Sequence, residues 1–67
     1  MERFKVSIET VNGTKYYVMS RMELNTLIRD VNSRTNRFVK VPTSDLYYNV
    51  DNIVHIYYRE MKEGESV

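Results

Sequence analysis

Cysteine and tryptophan are absent from this 67-residue chain, histidine and proline occur once each, and glycine occurs twice. Without cysteine there is no disulfide framework, no thiolate metal cluster and no cysteine nucleophile. One histidine leaves imidazole-based triads and metal sites without the partners they need. Neither glycine opens a phosphate-cradling loop before a helix. No apolar run approaches the roughly 18 residues of a membrane span. The opening stretch from Met1 to Thr10 alternates apolar and polar residues, unlike the apolar core and small-residue cleavage site of a signal peptide. A cytoplasmic protein with no membrane partner is the expectation.

What is present fits one small domain. A chain of this size buries only about 60% of the surface its unfolded form exposes, so stability rests on a few large apolar residues, or is shared between subunits. Ten basic residues against nine acidic ones give a net charge of +1, unevenly spread. Met1 to Pro42 holds eight basic and four acidic residues, or +4, and Thr43 to Val67 holds two and five, or −3. A basic face and an acidic end follow.

Phe4-Lys5-Val6-Ser7-Ile8 alternates strictly, and a second extended run, Thr14 to Met19, follows Asn12-Gly13. Asn-Gly between two such runs predicts a hairpin with a two-residue type I′ loop. That loop sets Ile8 opposite Tyr17 and Val6 opposite Met19. Phe4, Val6, Ile8, Tyr17 and Met19 then share one face, and Lys5, Ser7, Glu9, Tyr16 and Val18 the other. A bulged turn one residue longer would reverse the second strand.

Ser20-Arg21-Met22-Glu23 is a capping box, and Leu24, Leu27, Ile28 and Val31 follow at helical spacing. Met19 and Leu24 are spaced as a hydrophobic staple, and Asn32-Ser33 is a plausible stop. Arg37 to Val41 reads as a third strand ended by Pro42. Leu46 to Val50 and Ile53 to Arg59 read as extended around a bend at Asp51-Asn52. Val50, Ile53 and Ile56, spaced by three, also fit a single helical turn there. Residues 61–67 read as a flexible charged tail after one domain over residues 1–60. The expected fold class is α+β: a small antiparallel sheet, made of a β-hairpin, one helix and then two or three strands, with the helix packed on one face.

Catalysis has little to stand on. His55 lies in an alternating run, where a packing or surface role is the ordinary one. Asp45 and Asp51 sit in turns, where capping is ordinary. No catalytic residue, cofactor or metal site is expected, and an enzyme centred on His55 is the weakest hypothesis. Arg21, Arg29, Arg34, Arg37 and Lys40 surround the helix and the entry to the third strand, and would be the contacts of a nucleic-acid-binding regulator. Glu23 and Asp30 interrupt that set, and the isoelectric point of about 8.0 is below the value above 9 expected of such a domain.

The six tyrosines fall into three adjacent pairs, Tyr16-Tyr17, Tyr47-Tyr48 and Tyr57-Tyr58, all in expected strands. Neighbouring strand residues point to opposite faces, so each pair sends one ring outward. Outward tyrosine shields backbone hydrogen bonds, and it is also enriched at protein interfaces. Tyr16, Val18, Tyr48 and Tyr58 are the expected protein-binding set of a non-enzymatic, regulatory or interaction module. Such a module is expected to self-associate as a homo-oligomer, a dimer before any higher number.

Asn49-Val50-Asp51-Asn52-Ile53-Val54-His55-Ile56 resembles the Asn-x-x-x-Ile-x-x-Ile segment of FlbD-like small bacterial flagellar proteins. Val11 to Val18 is similar to their Gly-Lys-x-Tyr hairpin, in the reverse chain order. The resemblance implies a compact strand-rich module with a regulatory role, and transfers no site residue. The small, cysteine-free composition rich in Asn, Tyr and Lys also looks like that of bacterial or phage accessory proteins.

Overall fold

The computed structural model describes residues 2–33 and 35–65. Five strands and one α-helix follow in the order β1 (Arg3–Thr10), β2 (Gly13–Ser20), α1 (Arg21–Asn32), β3 (Phe38–Lys40), β4 (Tyr47–Asn49) and β5 (Ile53–Glu60), with a 3₁₀ turn at Val50–Asn52. β2, β1 and β5 form an antiparallel sheet in that order, with β1 at its centre, and β3 pairs with β4 as a separate hairpin. This is the expected α+β class. No described helix is long and apolar enough to cross a membrane.

The strict alternation of β1 drives Phe4, Val6 and Ile8 into the core, with Val6 and Ile8 fully buried. Met19 from β2, Leu24 and Leu27 from α1, and Val39 and Val41 around β3 complete it. Core and helix therefore lie on one side of the three-stranded sheet. Tyr17 and Tyr48 pack against the same cluster, which places the β3–β4 hairpin beside α1 on that side.

The first hairpin differs from its expected register by two residues. Phe4 faces Met19, Val6 faces Tyr17 and Ile8 faces Lys15. The type I′ expectation fails because among the described residues only glycines have positive φ, and Gly13 carries it at 131°. The turn lies one position earlier, at Val11-Asn12, because the Thr10 hydroxyl accepts from the Asn12 N–H at 3.1 Å and donates to the Gly13 carbonyl at 3.0 Å. A shift of two leaves every side chain on its expected face.

The capping box forms as the sequence predicts. The Ser20 hydroxyl accepts from the Glu23 N–H at 3.2 Å, and the Glu23 carboxylate accepts from the Ser20 N–H at 2.9 Å. Loss of such a cap costs about 1 kcal/mol. Ser20→Ala is therefore expected to lower the unfolding free energy by about 1 kcal/mol, read as a lower urea midpoint at unchanged slope, and an unchanged midpoint would refute a structural role for the cap.

Two devices explain the spacing by three in Val50, Ile53 and Ile56. The 3₁₀ turn carries Val50 to Ile53, its N-terminus capped by the Asn49 side chain accepting from the Asp51 N–H at 2.9 Å. In β5, Glu9 pairs with His55 but Thr10 pairs with Ile53, so Val54 is an extra, bulged residue. The bulge returns Ile53 to the side that holds Ile56, and all three residues pack against the core.

Residues 61–65, expected as a flexible tail, fold back as a turn. The Met61 N–H donates to the Arg3 carbonyl at 2.8 Å, and the Glu65 N–H donates to the Lys62 carbonyl at 3.0 Å. The Glu65 carboxylate accepts from the Arg59 guanidinium through both oxygens and from the Lys62 N–H. Those bonds, the guanidinium first, lower the Glu65 pKa to about 2. The composition of this stretch hid the pairing because Arg59 belongs to the strand before it. Residues 66 and 67 of the expected tail lie outside the described residues.

Candidate functional site

The register of the three-stranded sheet arranges its helix-free face in rows. Val18, Lys5 and Arg59 form one row, Tyr16, Ser7 and Tyr57 the next, and Thr14, Glu9 and His55 the third. Tyr16 and Tyr57 are 62% and 57% exposed, and they stand on the two outer strands with only the small Ser7 between them. Two strand spacings put their Cα atoms roughly 10 Å apart. The rings wall a shallow depression of about 290 Å³, completed by Lys5 and Arg59. The Lys5 ammonium sits 5.9 Å from the centre of the Tyr16 ring, and the His55 ring lies 5.4 Å from that of Tyr57. The residue 61–65 turn is tied to this face through Arg59. On these rows Thr14, Tyr16, His55, Tyr57 and Arg59 are exposed.

Of the expected protein-binding set, Tyr16 is exposed on this face and Val18 is half-buried on it. Tyr48 and Tyr58 do not take the outward face expected of them. Tyr48 lies opposite Val39 on the core side of the small hairpin, half-buried, with its hydroxyl 2.6 Å from that of Tyr17. Tyr58 lies opposite Val6 on the helix side, its ring 6.4 Å from Phe4 in an edge-on contact, although it is 54% exposed at the sheet margin. The outward members of those two pairs are Tyr47 and Tyr57. The clue for the last pair was Ile56: an apolar residue two before Tyr58 shares its face and belongs on the core side.

Sequence reasoning also missed Phe38, 63% exposed on the outer face of the β3–β4 hairpin with Lys40 and Tyr47. The signal available was the burial expected of Val39 and Val41, which turns Phe38 and Lys40 outward.

The basic set is dispersed. Arg21, in the first turn of α1, pairs with Glu2 and lies 5.1 Å from the Phe4 ring centre. Arg29, in the last turn, pairs with Asp30 at 3.4 Å. Arg37 is exposed, and its carbonyl accepts from the Val50 N–H at 2.9 Å. Lys40 is exposed opposite Tyr47. Arg34 lies outside the described residues. His55, Asp45 and Asp51 are exposed. Among the described residues, no three His, Asp or Glu side chains come together around a space for a metal ion.

Comparison of the chain with protein-family models, with curated proteins and with solved structures gives no match. The geometry of the surface is therefore the ground for any functional reading.

Proposed function

We propose that this chain is a small non-enzymatic protein-interaction module that docks a partner on the open face of the β2–β1–β5 sheet. The observation that supports this reading is the pair Tyr16 and Tyr57, more than half exposed on either side of Ser7 with Val18 adjoining. A rigid sheet holds both rings before a partner arrives, so little side-chain entropy is lost on docking, and tyrosine contributes large contact area with a polar tip. Lys5 and Arg59 at one end and Glu9 at the other supply a polar rim.

The test is capture of partners from the source cell with the native chain and with Tyr16→Ser and Tyr57→Ser, each variant checked for native circular dichroism. A central aromatic contact is worth about 2 kcal/mol, so each variant should weaken a captured complex roughly thirtyfold. Full retention of every partner by the double variant would remove the proposal.

A nucleic-acid reading is second, favoured by one arrangement: on the outer face of the β3–β4 hairpin Lys40 stands opposite Tyr47 and next to Phe38 along its own strand. Aromatic rings beside a cation can stack bases and meet phosphate. That reading requires binding of single-stranded DNA or RNA that falls steeply with salt, and no binding at low salt ends it.

A further inference from the structure

We infer that two copies of this chain pair through β5, edge to edge and antiparallel, to form one six-stranded sheet. The inference does not rest on what docks on the open face: it uses the free side of β5 and the groove beside it, and meets that face only at Tyr57.

The two edges of the sheet are not equivalent. β2 carries Lys15 on its core-facing side, opposite Ile8, and leads directly into α1. A charge aimed inward on an outer strand is a standard block to further pairing. β5 has no such guard from Ile53 to Tyr58. That stretch contains no proline and no Lys, Arg, Asp or Glu, and the charged residues Arg59 and Glu60 come only at the strand's end. Among the described strands none pairs with its second side. The Val54 bulge lies near the start of the strand and leaves Ile56 to Glu60 in regular register with β1.

The core is also unfinished along that edge. α1 lies mainly against β1, β2 and β3. Between α1 and β5 a groove of about 380 Å³ remains, lined by Ile28 and Val31 from the helix and Ile53, Ile56 and Tyr58 from the strand. These residues are half-buried or, for Tyr58, 54% exposed. A generic strand could satisfy the backbone edge. A second copy does more, because a two-fold axis perpendicular to the sheet places the helix of each copy on the same side and brings the two open grooves together. Such an axis sets one residue of β5 opposite itself. With Tyr57 at the axis, Ile56 of each copy meets Tyr58 of the other on the helix side, an aromatic against β-branched pairing that stabilises antiparallel sheets. On the open face, the row Tyr16, Ser7, Tyr57 then continues into its own mirror order. Interfaces that hold start at roughly 600 Å² per copy, and one strand edge with its groove is a contact of that small class. The dimer is accordingly concentration-dependent.

The experiment uses the full chain. Sedimentation equilibrium is expected to show a mass rising from 8.0 kDa toward twice that value with concentration. Val54→Glu, at a site 49% exposed, places a like charge opposite Glu60 of the other copy without opening the core. It should weaken association at least about tenfold while leaving the circular dichroism unchanged. Tyr16→Ser, on the far strand, should leave association unchanged. Because the chain has no cysteine, Tyr57→Cys introduces a single thiol, which should give a covalent dimer on mild oxidation, whereas Met22→Cys on the exposed helix surface should not. A native chain that stays at 8.0 kDa up to about 1 mM overturns the inference. So does a dimer that survives Val54→Glu; where that dimer is lost in Tyr16→Ser, self-association lies on the open face instead.

Discussion

Ile8→Ala is expected to leave the chain largely unfolded at room temperature. Ile8 is fully buried on the central strand, opposite Ile56 on one side and Lys15 on the other. Removing its outer carbons deletes contacts with both layers and leaves a cavity that a sheet cannot collapse around, a loss of about 3–4 kcal/mol. A domain of 67 residues holds roughly 3–10 kcal/mol in all, at about 0.05–0.15 kcal/mol per residue. A single core in so short a chain rarely supplies more than roughly 3–5 kcal/mol, so one substitution consumes most or all of it. The measurement is urea unfolding followed by circular dichroism, with amide dispersion in a proton–nitrogen NMR spectrum as a second readout. Met22→Ala is the control, because Met22 is 79% exposed and its loss should change the midpoint little. A native-like midpoint for Ile8→Ala would mean that the core is not centred on β1.

The prediction is sharp because β1 is the part of the fold most legible in the sequence. Alternation in Phe4 to Ile8 identified the buried face, and the capping box located the start of the helix at Arg21. Parity explains why the faces of β2 were correct although the register was off by two: a two-residue shift moves partners but turns no side chain over. The shift itself came from the Thr10 hydroxyl, a side chain outside the Asn-Gly pair, which fixed the turn one position early.

The outward surface was harder to read, for a specific reason. A doubled tyrosine has the same residue at both phases of a strand, so the pair itself does not say which ring turns outward. For Tyr16-Tyr17 the hairpin tied the phase to β1, and Tyr16 was placed correctly. For Tyr47-Tyr48 and Tyr57-Tyr58 the phase depends on pairing with Val39 and on the strand following the Val54 bulge. Both are non-local, and neither is encoded in the tyrosines. The rings on the open face are therefore Tyr57 and, as expected, Tyr16.

The last expectation concerns the contact that joins the two layers away from the helix. Tyr17 on β2 and Tyr48 on β4 meet edge to face with ring centres 6.5 Å apart, and their hydroxyls share a 2.6 Å hydrogen bond. Burial, and then the bond to Tyr48, raise the Tyr17 pKa above its ordinary value near 10. The folded state thus holds the Tyr17 proton more tightly than the unfolded state. The associated stability is fully present below about pH 10, where tyrosine in the unfolded chain begins to ionise, and is lost as pH rises toward the folded value. The native chain should therefore lose stability steeply above about pH 10, measured as a falling urea midpoint. Tyr17→Phe removes the titrating group and should flatten that alkaline limb, at the cost of leaving the Tyr48 hydroxyl without its partner at neutral pH. Tyr48→Phe should retain part of the limb, because the half-buried Tyr17 phenol still titrates. In a double-mutant cycle at neutral pH the two changes should couple by about 1 kcal/mol, the net worth of one such hydrogen bond. An identical alkaline limb in native chain and Tyr17→Phe would show that the β3–β4 hairpin is not seated on β2 through this pair. Because the hairpin also carries Val39 and Val41 into the core, its seating decides whether the helix side of the sheet is closed over β2.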